Sequence, residues 1–158
     1  MVTKSKSFMR FTVALLAIVL AAGLLALNVA PSFANGGRPF TTTLLGANEV
    51  PSPGDPDGSG TAHITLNQGQ GEICFDITVN NVDTIAASHI HAAPAGTAGP
   101  VVVNFNVGAN GLSGCVIVDA DLIKAIRQNP ENYYVNVHNP AFPSGALRGQ
   151  LSKAISEK

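Results

Sequence analysis

In two stretches of this chain every second residue is apolar: Ala62, Ile64 and Leu66 in the first, and Ile73, Phe75, Ile77 and Val79 in the second. A period of two puts those side chains on one face of a β-strand, with Thr61, His63 and Thr65 on the other. A helix cannot bury such a pattern on one side. The run PSPGDPDGSG before the first stretch is dense in turn formers and reads as a loop. The same reasoning predicts further strands over residues 40–45 (FTTTLL), 83–91, 100–105 (PVVVNF), 114–119 (GCVIVD), 133–138 and 146–151. One segment breaks the rhythm. Asp119 precedes Leu122 and Ile126, four apart, with Pro130 shortly beyond, which predicts a capped helix of about two turns. Short strands, many turns and one small helix define an all-β, antiparallel sandwich.

The first 34 residues do not belong to that fold. Lys4, Lys6 and Arg10 precede an almost wholly apolar run over residues 11–30, and Ser32-Phe33-Ala34 follows. This is the three-part layout of a cleaved secretory signal peptide. A run of this length would also cross a bilayer as a retained anchor, but a cleavage site follows it at once. The expected organisation is a leader over 1–34, a flexible lead-in over 35–39, one domain over 40–152 and a tail over 153–158. The product is secreted, to the periplasm or the extracellular space.

Removing the leader takes away three cations and moves the formal net charge from −1 to −4. The remaining cations, Arg38, Lys124, Arg127, Arg148, Lys153 and Lys158, are scattered along the chain. Without a basic stripe, nucleic acid and anionic membrane are not expected partners. Cys74 and Cys115 are the only cysteines. In an exported chain a pair of this kind forms a disulfide, worth roughly 4 kcal/mol for a loop of about forty residues.

Chemistry concentrates on histidine. In SHIHAAPAGTAGPV, His89 and His91 are two apart, so on a strand they project from one face, roughly 6–7 Å apart along the backbone. Two imidazoles at this spacing can meet one metal ion. The bland alternative is a strand end with two hydrogen-bonded histidines. In YYVNVHNPAFPSGALRGQL, Tyr133, Val135 and Val137 share one face; Tyr134, Asn136 and His138 share the other. The following strand separates Leu147 and Leu151 from Ala146, Arg148 and Gln150. A hairpin that buries both apolar sets brings both polar sets together. With residues 139–145 as the connection, His138 falls opposite Ala146 and Arg148 lies one step diagonal to it. Asp55 and Asp57 lack the spaced acids of a calcium loop and read as turn residues. Ser88 points away from its neighbour His89.

The strings ASHIHAAPAGTAGPVV and YVNVHNPAFPSGALRGQL resemble the CHRD domain, the module named after chordin, over approximately residues 41–151. In chordin such domains belong to an extracellular binder of growth factors, so the resemblance implies an exported binding module. Family members more often carry a glycine soon after HIH and a glutamate before the Leu-Arg-Gly; this chain has Ala92-Ala93 and Ala146 there. A remoter resemblance is to copper-zinc superoxide dismutases, Greek-key sandwiches with a similar order of His-x-His, late Val-His and terminal arginine. It implies copper on His89, His91 and His138, with Arg148 beside it to attract an anion. This chain has no histidine between His91 and His138, so the dismutases' metal-bridging imidazole has no counterpart.

The expected fold is therefore an immunoglobulin- or dismutase-like Greek-key sandwich. Three functional readings follow: a non-catalytic binding module with a three-histidine copper site (zinc being the lesser choice), a dismutase-like copper enzyme, and an extracellular protein- or matrix-binding domain with structural histidines. Convergence of the three imidazoles to within about 4 Å would favour metal, because ligands reach 2.0–2.1 Å from one centre. Rings each paired to backbone carbonyls would favour a structural role.

Overall fold

The alternating apolar residues meet one another across strand pairs. The structure, a computed structural model, describes residues 37–152; the expected leader and the C-terminal tail lie outside them. Strand β1 (Arg38–Leu45) pairs antiparallel with β2 (Ser59–Asn67), and β2 with β3 (Glu72–Asn80). Phe40 thus faces Ile64, and Ile64 faces Phe75. Strands β4 (Ala87–Ala92), β5 (Val101–Asn104), β6 (Ser113–Ile117), β7 (Tyr133–His138) and β8 (Leu147–Gln150) complete the sheet. Its order is β5-β4-β7-β8-β1-β2-β3-β6.

This order is an antiparallel Greek-key sandwich. Strands β1 and β8 meet at one residue pair, Leu45 opposite Arg148, so the sheet turns a corner there into two four-stranded layers. The chain passes from β3 to the layer of β4 and β5, then returns so that β6 lies beside β3. Between the layers, Phe75 stacks on Phe105 with ring centroids 4.4 Å apart, amid buried Leu44, Ile64, Ile90, Val135 and Leu147. At the corner Gly149 is required by close approach: a Cβ there would lie 2.5 Å from the Thr43 carbonyl oxygen.

Strand boundaries differ from the sequence reading at several places, two of them for a clear physical reason. Arg38 and Pro39, expected in a flexible lead-in, belong to β1 because they pair with Leu66 and Thr65. Strand β4 starts at Ala87 rather than at residue 83, since the chain first has to cross from one layer to the other. The helix forms as expected. After a single turn, α1 (Val107–Asn110), the segment Ala120–Gln128 makes α2. The Asp119 side chain caps α2 by accepting from the amides of Asp121 and Leu122. Ile123 and Ile126 are buried beneath it. Cys74 and Cys115 face each other across β3 and β6 and form the disulfide.

Candidate metal centre

Strand register brings the three expected histidines together. His89 and His91 project from β4 on one face, opposite Asn136 and Tyr134 of β7. His138 lies opposite Ala87. The rings form a triangle with centroid separations of 5.6 Å (His89–His91), 5.1 Å (His89–His138) and 6.2 Å (His91–His138). One nitrogen from each ring lies within 4.8 Å of the other two. Two ligands of one tetrahedral metal are about 3.4 Å apart. A mutual separation within 4.8 Å is compatible with that geometry after small rotations of the rings.

Hydrogen bonds decide which nitrogens face the centre. The Nδ1 of His91 is 2.9 Å from the Gly99 carbonyl oxygen and that of His138 is 3.1 Å from the Pro143 carbonyl oxygen. A carbonyl can only accept, so each Nδ1 carries the proton and each Nε2 keeps its lone pair. Those two Nε2 atoms and the Nδ1 of His89 are buried without a hydrogen-bond partner. A carbonyl behind the ring and a free lone pair in front is the arrangement that orients metal-ligating histidines. Two of the three rings, His91 and His138, thus meet the carbonyl pairing expected of structural histidines; His89 Nδ1 has no such partner, and one buried nitrogen of every ring is left unsatisfied.

Burial also keeps the rings neutral. Loss of solvent lowers the pKa of His89 to about 4, helped by its neighbours His138 and His91. The same burial lowers His91 and His138 against the opposing pull of the Gly99 and Pro143 carbonyls. The donor set is thus three neutral imidazoles, which fits copper or zinc without a carboxylate or thiolate.

The outer face of this sheet is covered rather than open. Tyr134 and Asn136, expected on a polar face, are 4% and 2% exposed. Arg148, opposite Asn136, is also 2% exposed. Its guanidinium carbon lies 3.5 Å from the centre of the Tyr134 ring, and it donates to the carbonyls of Thr97 and Pro94 and to the Gln150 side chain. The two amide hydrogens of Gln150 Nε2 are in turn shared among the carbonyl oxygens of Ala93, Glu131 and Tyr133, each 2.8–2.9 Å away. The terminal RGQ motif is therefore a clamp on the loop that carries Gly99. The register expected for the hairpin is observed, but Arg148 is a buried staple behind Tyr134, not an exposed cation beside the histidines.

Three further residues carry no clear signal in the sequence. Glu49 is buried at 7% exposure, accepting from the Asn136 amide. Desolvation raises its pKa to about 7, against the lowering effects of Asn136 and Arg148. A carboxylate thus stands near Arg148 although Ala146 supplies none. The only hint was an isolated acid in the apolar string GANEVP. Tyr134 and Asn136 were legible as face-mates of His138, but not as buried. His63, by contrast, is exposed and bonds Thr41 Oγ1; it does not join the cluster. Asp55 accepts from the Gly58 amide, the turn role expected of it. Glu72, Cys74 and Cys115 also lie together, but the disulfide leaves no thiolate to bind a metal.

Fold and site together define a Greek-key β-sandwich with a histidine triad on the covered face of one layer. The chain belongs to the CHRD domain family, whose model matches residues 40–151. No curated protein and no solved structure matches it.

Proposed function

We propose that this chain is an exported, non-catalytic CHRD-domain binding module that holds one copper ion on His89, His91 and His138. The observation that carries this reading is the convergence of three buried imidazole nitrogens with no other partner. Leaving such groups unsatisfied costs about 1–3 kcal/mol each, and a metal ion offsets that cost. Copper is preferred to zinc because nitrogen donors bind it more tightly among divalent first-row metals. The disulfide supports export, since such bonds persist in oxidising compartments. The dismutase-like reading has less support: Arg148 gives its donors to backbone carbonyls and a glutamine, so it does not present a free cation to an approaching anion.

Electron paramagnetic resonance of the chain loaded with one equivalent of Cu(II) tests the ligand set. Nitrogen hyperfine structure from imidazole, diminished by each of His89→Ala, His91→Ala and His138→Ala, is the expected result. A spectrum unchanged by all three substitutions would remove the proposal.

A further inference from the structure

Three of the cations that are scattered in sequence gather at one place. Arg38 at the start of β1, Lys124 and Arg127 on α2, and Gln68 and Gln128 line a cleft of about 230 Å³. Residues 37–152 contain four cations against nine acids, and the fourth cation, Arg148, is buried. The cleft thus holds every solvent-accessible cation of the described domain, and no carboxylate lines it. It shares no residue with the histidine cluster.

Two of the cations are held in place. The Arg38 guanidinium sits 5.4 Å from the centre of the Phe40 ring, and Arg127 donates to Gln68 Oε1 at 3.2 Å. Lys124 and Arg127 are three apart, on neighbouring positions of one helix face. Cations in the last turn of a helix complement its dipole, which accounts for Arg127. It does not account for Arg38, which comes from a different element. Like charges brought together without a counter-charge repel one another, and an anion in the cleft relieves that repulsion.

We infer that this cleft is a binding site for one tetrahedral oxyanion group, a phosphate or a sulfate. Two guanidinium groups, an ammonium and glutamine amides suit several oxygens on one centre, because guanidinium forks pair bidentately with oxyanions. In an otherwise acidic domain the cleft also focuses the positive field that would steer such a group inward.

The full chain would be titrated at constant ionic strength with inorganic phosphate, inorganic sulfate, a sulfated oligosaccharide and its desulfated counterpart. Saturable one-to-one binding is expected, weakened about tenfold or more in Arg38→Gln/Arg127→Gln, as loss of charge-assisted contacts requires. Lys124→Gln, at an exposed position, should weaken binding without disturbing the fold, which thermal melting would verify. Equal affinity for free ions and oligosaccharide identifies the ion itself as ligand; preference for the sulfated oligosaccharide identifies the group as carried on a glycan. No saturable binding by any probe, or equal binding by wild type and both variants, would overturn the inference.

Discussion

The imidazole of His91 lies 11° from coplanar with the phenol ring of Tyr134, their centroids 4.8 Å apart. Strands β4 and β8 flank β7, so His91 and Arg148 approach the tyrosine from opposite sides. The Tyr134 hydroxyl accepts from the Gly99 amide, and the Gly99 carbonyl holds His91 Nδ1. His91 is thus fixed by a stack and a hydrogen-bonded loop, both anchored by Arg148.

Gly99 is the vulnerable link in that arrangement. A Cβ at this position would lie 2.1 Å from the Ala92 carbonyl oxygen, so Gly99→Ala must displace the loop from His91. Copper affinity should fall about 10–100-fold, the usual consequence of losing an outer-shell partner. Gly96→Ala is the control, since a Cβ there touches nothing; its positive φ should cost about 1 kcal/mol in stability with little effect on affinity. Competition titration against a chelator measures both.

Glu49 should make the fold less stable as pH rises. Its pKa moves from 4.5 in the unfolded chain to about 7 in the folded one. Between those values the folded state binds more protons, so its stability is greatest below 4.5 and is lost as pH rises through 7. Gln keeps the acceptor for Asn136 without the charge. Glu49→Gln should therefore gain on wild type between pH 5 and 8, by about 1–3 kcal/mol. Urea melts at pH 5 and 8 test this; an unchanged difference between the two proteins at both values would contradict it.

The histidines act in the opposite direction. Their folded pKa values lie below the ordinary 6.5, that of His89 at about 4. Their contribution to the metal-free fold is present above 6.5 and is lost as pH falls toward 4. Protons compete for a ligand only below its pKa, so copper affinity should be nearly flat from pH 8 to 6.5. It should then decline toward pH 4. A steep fall already under way at pH 7 would show solvated, ordinary imidazoles.

The disulfide serves the other layer. Cys74 and Cys115 join β3 to β6, while the histidines lie on β4 and β7. Cys74→Ala/Cys115→Ala should cost about 2–4 kcal/mol in denaturant unfolding and leave copper affinity unchanged. Loss of affinity in a still-folded variant would mean that the layers are coupled more tightly than their strand contacts indicate.

Much of this was legible from residue order. The period-two pattern of β2 and β3 placed Ile64 and Phe75 inward, as observed. The hairpin argument put His138 and Arg148 on one surface, and the observed pairing of Asn136 with Arg148 follows the same register. Hidden from that reasoning was the covering of the outer face. Alternation reports which side of a strand is apolar, but not that the segments bearing Glu49 and Gly99 fold over the polar side and bury Arg148. The basic cleft was hidden for a related reason. Arg38 and Arg127 are far apart in sequence, and only the packing of α2 near the start of β1 brings them together.

The central claim is tested most directly by calorimetric titration of copper into the full chain, alongside the His89→Ala/His91→Ala/His138→Ala variant. The account predicts one tight site per chain in the wild type and none in the variant. Equal binding by both proteins, or none by the wild type, would contradict it.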